Sequence, residues 1–331
     1  MTSSKMKFGA MACVTAIASL AMHANAQDAA ANYPTRPVSL TLPVGVGGPL
    51  DTVSRIVAAA MSTQLGTSVV VENKPGAAGA IAAAAVARAN PDGYTLLVVD
   101  TGFTVARHFV PSTGFDPVKD FTPVGLSARS MQLVVAVHPS VAARTAPELV
   151  KLAQSKPNEL SFASSGEGSV PYLGAAAFMQ ATSSPLLHVP YRSVGAAMTD
   201  VLSGQVSMVF TAVSVAAPHA NVGKLRILGV IGDKRWPTLP DVPTFKESGI
   251  DIPAFDNGFW HGVVAPVATP PAVVAKINAA LNKALHDPDT RAKLERVDFT
   301  PAPGAPVALK SLIDSQLSRW DSILGDVSKR K

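Results

Sequence analysis

The segment VSLTLPVGVGGPLD, Val38–Asp51, contains an apolar run, a loop of small residues and the start of a helix. The same order recurs in LSFASSGEGSVPYL, Leu160–Leu173. Each segment predicts a buried strand that enters a helix through a loop with almost no side chains. Such a loop leaves backbone N–H groups free to face a ligand, and the helix dipole favours negative charge there. Two copies far apart in the chain predict two lobes with an acid held between them.

The N-terminus has the pattern of a cleavable export signal. Lys5 and Lys7 precede the apolar stretch Phe8–Ala21, which is too short to span a bilayer. Ala24-Asn25-Ala26 is typical of a signal-peptidase site, so residues 1–26 are expected to form a signal peptide with cleavage after Ala26. A lipid anchor on Cys13 is the alternative, although it would leave almost no apolar region between Lys7 and the cysteine.

The composition favours a large apolar core and excludes several functional classes. Of the 331 residues, 47% are hydrophobic and only 15% are charged, which argues against disorder. The formal net charge of +5 is mild, and no Lys/Arg run is interleaved with aromatic residues, so a nucleic-acid partner is not expected. Removal of the signal peptide would also remove Cys13, the single cysteine, leaving no cysteine to ligate a metal or form a disulfide.

Strands and helices alternate along the rest of the chain. Continuous Val/Leu runs such as Thr95–Asp100 and Gln132–Val137 predict buried strands of mainly parallel sheets flanked by helices. The pattern indicates an α/β protein of two lobes. We predict that residues 33–129 together with 253–331 form lobe 1 and that residues 130–252 form lobe 2. Two crossings between the lobes would make a hinge.

The motifs along this chain resemble those of the Bug family, the TctC-like periplasmic solute-binding proteins of tripartite tricarboxylate transporters. No single motif is decisive, but their number, order and spacing are specific. They run along nearly the whole predicted mature chain: Tyr33–Pro37, Gly47–Asp51, Val70–Ala77, Pro91–Leu96, Asp116–Phe121, His188–Tyr191 and Leu239–Thr244.

The resemblance implies a two-lobed Venus flytrap fold of the type II periplasmic-binding-protein class. It implies a periplasmic protein that captures a small carboxylate in the cleft and delivers it to a membrane permease. A protein that senses the ligand and partners a sensor kinase would have the same cleft, so that alternative stays open. A monomer is the expected state for this class.

The resemblance also assigns residues to the ligand site. The first loop, Val44–Asp51, and the second loop, Ser164–Ser169, are expected to hold the ligand carboxylate largely through backbone N–H groups. Thr101, Tyr191 and Thr211 are expected to line the rest of the cleft. The ligand-binding candidates are Val44, Gly45, Val46, Gly47, Gly48, Asp51, Thr101, Ser164, Ser165, Glu167, Gly168, Ser169, Tyr191 and Thr211.

Several candidates have a second interpretation or depart from the family pattern. Asp51 could act only as an acid at a helix N-terminus, and Glu167 could point to solvent. Val44 and Gly45 replace an aromatic residue and a proline of the usual loop. Thr211 stands where many members have Asp, so an organic acid is favoured over an amino acid as ligand.

Catalytic motifs are missing from the sequence. It contains no H-E-x-x-H pair, no G-x-S-x-G elbow and no phosphate-binding P-loop. We therefore expect no enzyme, no catalytic residue, no metal and no cofactor. An active site assembled from distant Ser, His and Asp residues is the remaining alternative.

Overall fold

The computed structural model describes residues 32–110, 112–130, 132–252, 255 and 258–328. The predicted signal peptide, residues 1–26, lies outside these residues, as do its cleavage site and Cys13. Within the described ranges, no helix combines the length and the apolar character that a bilayer crossing requires.

The described chain alternates strands and helices, with two 3₁₀ turns at Ala77–Gly79 and Ala106–His108. The strands are β1 Val38–Leu42, β2 Val69–Asn73, β3 Thr95–Val99, β4 Phe121–Ser130, β5 Leu133–Val137, β6 Ser161–Ser164, β7 Leu187–Pro190, β8 Met208–Ala212, β9 Arg226–Ile231, β10 Phe259–Pro266 and β11 Thr300–Pro301. The helices are α1 Pro49–Leu65, α2 Ala80–Ala87, α3 Thr101–Val105, α4 Ala146–Ser155, α5 Val170–Thr182, α6 Val194–Leu202, α7 Val213–Asn221, α8 Pro271–His286, α9 Pro288–Glu295 and α10 Pro306–Ser328.

The strands form two separate sheets. Sheet A has the order β11-β4-β10-β3-β1-β2, and sheet B has the order β7-β6-β8-β5-β9. Sheet A therefore combines strands from the first part of the chain with strands that return to it after sheet B. This arrangement confirms the predicted α/β fold of two lobes. The lobe boundaries at residues 129/130 and 252/253 remain predictions.

Both sheets are mixed: most strands of each sheet point the same way, but five of the nine strand pairings in the described chain are antiparallel. In sheet A, β1, β2, β3 and β4 run one way, while β10 and β11 run against them. In sheet B only β5 is reversed, and it pairs antiparallel with both β8 and β9. Both β5 and β10 are the strands by which the chain enters a sheet from the other lobe. Their direction is set by those crossings, which hydrophobic periodicity does not encode.

Strand β4 is a strand that the sequence pattern does not predict, because Pro123 and Gly125 interrupt its apolar run. The structure accommodates both residues at an irregularity in the pairing with β10. The register shifts between Val263, opposite Gly125, and Val264, opposite Pro123. A bulge tolerates proline because the ladder hydrogen bond is already interrupted there.

The C-terminal helix α10 connects the cores of the two lobes. Its residues Leu309 and Ile313 belong to the core of sheet A, whereas Trp320 packs in one cluster with Phe162 and Phe178 of the other lobe. Trp320 is fully buried, its ring lies 5.6 Å from the ring of Phe255, and its Nε1 donates to Gln316. The helix thus supports the junction between the lobes.

Replacement of Trp320 should destabilise this junction. We expect Trp320→Ala to lower the free energy of unfolding by about 3–5 kcal/mol, since it removes a large buried ring and leaves a cavity. Urea unfolding followed by circular dichroism measures the change. The control is Ser318→Ala, at an exposed position of the same helix. A loss below about 1 kcal/mol for Trp320→Ala would contradict this role.

Candidate functional site

A cavity of about 680 Å³ lies between the two sheets. Its walls come from the segments that follow β1, β3 and β6 and from the end of β8. Loops at the carboxyl ends of strands are where open α/β sheets bind ligands. Both lobes contribute, so a ligand in this cavity would contact both at once.

Nine of the fourteen candidate residues border the cavity. They come from both repeated segments and from β8: Val44, Gly45, Val46, Gly48, Ser165, Glu167, Gly168, Ser169 and Thr211. The structure thus brings the first and second loops together around one space. Glu167 is exposed, and Thr211 is buried at the end of β8.

The other five candidates do not border the cavity: Gly47, Asp51, Thr101, Ser164 and Tyr191. The hydroxyl of Tyr191 donates to Asp200 Oδ2 at 2.6 Å, which directs the ring toward α6. Thr101 is buried in the first turn of α3. The Ser164 hydroxyl accepts from the Gly166 N–H and lies 2.7 Å from His188 Nε2, so it shapes the second loop from within.

Asp51 holds the first loop in place. Its side chain is almost completely buried, and its oxygens accept from Gly47 N–H, from Arg55 and from Asn73 Nδ2 at 2.9–3.1 Å. The same Asn73 amide donates to Val44 O, which ties the loop to β2. Burial alone would raise the pKa of Asp51, but these hydrogen bonds outweigh it and hold the pKa below its usual range.

Four helices begin at the cavity without a side-chain cap. Their N-cap residues are Gly48 of α1, Gly79 of α2, Ser169 of α5 and Ala212 of α7, and all four border the cavity. The hydroxyl of Ser169 donates to Gly166 O, so it is not used to cap its own helix. The first N–H of α2, at Ala80, donates to Ala77 O, and Pro49 of α1 and Pro171 of α5 have no N–H. The other N–H groups of these first turns, together with the positive dipole ends, suit an anion.

Sequence analysis missed two of these helix ends. Gly79 lies in the Ala-rich segment, and Ala212 is the last residue of the fully buried strand β8. Neither carries a side chain that signals binding, because the groups that face the cavity belong to the backbone. The only available signal was the position of each residue directly before a helix.

Aromatic rings form much of the remaining wall: Phe103, Phe109, Phe115, Phe259, Trp260 and Phe299. His261 also borders the cavity and stacks on Phe299 at 4.7 Å. Burial lowers the pKa of His261 to about 3, so this ring is neutral. Within the described ranges, Trp260 Nε1 and His261 Nδ1 have no hydrogen-bond partner, which makes them candidate contacts for a ligand.

Asp100 is a carboxyl group on the cavity wall that sequence analysis also missed. It follows β3 and caps the short helix α3, accepting from Gly102 N–H at 2.8 Å. Burial raises its pKa to about 6, against the hydrogen bonds from Gly102 and Phe103. In the part of the chain that the structure describes, no group of three His, Cys, Asp or Glu residues could hold a metal ion.

The Asp51 network predicts a stability effect that depends on pH. Because the pKa of Asp51 is lowered by folding, its stabilisation is present above the ordinary carboxyl pKa of about 4 and is lost as the pH falls through the depressed value. We expect Asp51→Asn to cost about 1–3 kcal/mol at pH 7 and less at pH 3.

Urea unfolding at both pH values measures this difference. Asp314→Asn is the control, since its ion pair with Lys310 is exposed and should contribute less than about 0.5 kcal/mol. An equal loss at pH 7 and pH 3 would contradict the ionised network. Direct contact of Asp51 with the ligand remains a prediction, which titration of the same variant tests.

The sequence of this chain matches a known protein family and known relatives along most of its length. The profile of the family described as "Tripartite tricarboxylate transporter family receptor", TctC, matches residues 53–328. A UPF0065 protein from the tcbD-tcbE intergenic region of Pseudomonas sp. strain P51 is 37% identical over 292 residues, which are 88% of this chain and 86% of that protein.

Two solved structures have the same fold. The periplasmic binding protein BugD is 33% identical with a TM-score of 0.81, covering 89% of this chain and 99% of its own. MatC from Rhodopseudomonas palustris, solved with bound malate, is 34% identical with a TM-score of 0.81, covering 88% of this chain and all of its own. The resemblance found in the sequence is confirmed, and the chain belongs to the TctC family of tripartite tricarboxylate transporter receptors.

Proposed function

We propose that this chain is a periplasmic solute-binding protein that captures a small carboxylate between its lobes and delivers it to a tripartite tricarboxylate transporter-type permease. Family membership supports the general role, and the bound malate of MatC supports the ligand chemistry. The export-signal pattern at the N-terminus supports the periplasmic location. The site acts by binding and closing, without catalysis.

The observation that carries the proposal is the meeting of four uncapped helix N-termini at one cavity. The cap residues Gly48 and Gly79 belong to one lobe, and Ser169 and Ala212 belong to the other. Free N–H groups and aligned dipoles bind a carboxylate without any basic side chain. Because the donors come from both lobes, the anion bridges the lobes and favours the closed state.

The second loop already rests on lobe 1 in this structure. A Cβ added at Gly168 would lie 3.1 Å from Ala78 Cβ and 3.2 Å from Phe109 Cδ2. The ring of Phe109 also makes an edge contact with Tyr172 at 5.3 Å. These contacts describe a closed arrangement, in which exclusion of water strengthens hydrogen bonds to a bound acid.

In this proposal, the permease recognises the closed, ligand-bound protein. A sensor kinase would recognise the same closed form, so that alternative stays open. We also propose that the protein acts as a monomer, because the bridge between its two lobes is complete within one chain.

Gly48 tests the position of the ligand carboxylate. A Cβ at Gly48 meets no atom within 4 Å, and its φ of −86° suits any residue, so Gly48→Val should fold normally. The new side chain would occupy the space beside the N-terminus of α1. We expect the affinity for carboxylates to fall by about tenfold or more, which is 1.4 kcal/mol.

Isothermal titration with malate, adipate, hexanoate and benzoate measures this effect. Gly304→Val is the matched control, since a Cβ there also meets open space and Gly304 lies outside the cavity. If Gly48→Val bound these acids as tightly as the wild type, the placement of the carboxylate at the first loop would be wrong.

Gly168 tests lobe closure. Gly168→Ala should hold the second loop away from Ala78 and Phe109, so the ligand affinity should fall by about threefold to tenfold and the radius of gyration should rise. Gly223→Ala is a matched control, because Gly223 also has a positive φ, its Cβ would meet nothing within 4 Å, and it lies outside the cavity. X-ray scattering with titration compares the two. Identical behaviour of both variants would count against closure through this contact.

A further inference from the structure

The charged groups around the cavity are few and mostly acidic. Among the described residues that border it, Asp100 and Glu167 are the carboxyl groups, and Arg192 is the only Lys or Arg. Glu167 and Arg192 are exposed, so this acid and this base lie toward solvent. Asp100 is more enclosed and forms no ion pair within the described chain. The remaining titratable group of the lining, His261, is neutral.

Asp100 lies where the two lobes meet. A Cβ added at Gly102 would lie 2.9 Å from Asp100 Oδ1 and 3.2 Å from Gly168 O. The carboxyl group of lobe 1 is therefore close to the second loop of lobe 2. Its own hydrogen bonds are to backbone N–H groups of α3, and they leave its negative charge without a cation. Above pH 6 this charge acts on anything in the cavity.

The rest of the cavity favours an apolar ligand body. Phe103, Phe109 and Phe115 stand on the lobe 1 side, and Phe299 stands beside the neutral ring of His261. Val44 adds an aliphatic side chain from the first loop. A volume of about 680 Å³ is ample for a ring-bearing acid, and apolar walls of this kind bind such a body by removing its surface from water.

We propose that the ligand is a carboxylic acid with a single negative charge and an apolar body of about ring size, and that Asp100 selects against acids with a second carboxylate. This proposal rests on the proposed function, since it assumes that backbone N–H groups bind one carboxylate. A second carboxylate placed beside Asp100 would be repelled by that carboxyl group, and Arg192, the one Lys or Arg among the described lining residues, lies toward solvent.

Matched pairs of acids test the selection directly. Hexanoate and adipate share a six-carbon chain, and benzoate and terephthalate share a ring, so each pair differs by one carboxylate. We expect the monoanion of each pair to bind at least about tenfold more tightly at pH 8, which is 1.4 kcal/mol. Benzoate should also bind at least about thirtyfold more tightly than acetate, which has the carboxylate without the body.

The variant Asp100→Asn tests whether Asp100 causes the selection against dianions. Asparagine keeps the helix cap and removes the charge, so the variant should fold. We expect it to reduce the monoanion-to-dianion affinity ratio by at least about fivefold, mainly through tighter binding of adipate and terephthalate. Asp314→Asn, an exposed acid of α10, is the control and should leave the ratio unchanged.

The outcomes separate the two proposals. If adipate or terephthalate binds as tightly as its monoanion partner while Gly48→Val still abolishes binding, the selection is wrong and the proposed function stands. If Asp100→Asn leaves the ratio unchanged, Asp100 is not the selecting group and the proposal is overturned. If none of these acids binds the wild-type protein, both the selection and the carboxylate-binding function are overturned.

Discussion

Backbone N–H groups at the starts of helices need acceptors, and four helices of this protein direct them into one cavity. Several other helices meet this need locally, as at Thr145 before α4 and Asp287 before α9, whose side chains accept from the first turn. At the four helices the N-cap residue is instead glycine, alanine or a serine whose hydroxyl bonds elsewhere. The positive helix ends also repel one another across the cavity. In the proposed function a bound anion would remove both costs, so the same groups would couple ligand binding to lobe closure.

Loops that expose their backbone require support from outside the loop. In the first loop the support is Asp51, which accepts from Gly47 N–H while Arg55 and Asn73 hold its carboxylate. In the second loop it is Ser164, which accepts from Gly166 N–H and contacts His188. These polar side chains shape the loops from behind and leave the cavity side to the backbone. Side chains near a site can thus determine its geometry without bordering the space that the ligand fills.

Local sequence patterns predict some parts of this structure and not others. Continuous apolar strands such as β5 and the small-residue loops between strand and helix have strong local patterns, and they predict the two lobes and the two loops that meet at the cavity. The reversed direction of β5 and β10 depends on where the chain crosses between sheets, which no local pattern records. Strand β4 is hidden by Pro123 and Gly125. The family resemblance places Tyr191 in the cleft, and no local pattern indicates that its hydroxyl donates to Asp200; contact of Tyr191 with a ligand stays a prediction.

In the proposed function the backbone binds the carboxylate and side chains contact the ligand body, so one fold can serve different acids. The carboxylate is assigned to helix ends, whose geometry depends on the fold and not on residue identity. The ligand body and any second charge meet side chains such as Phe103, Phe299 and Asp100, which can change without moving those helix ends. MatC, with the same fold at 34% identity, was solved with malate, a small polar acid. Under the proposed selection, the aromatic lining and the carboxyl group of Asp100 would disfavour such a ligand, because that carboxyl group would repel a second carboxylate beside it. A change of ligand within this fold would then require new side chains on the cavity wall, while the backbone proposed to bind the first carboxylate stayed the same.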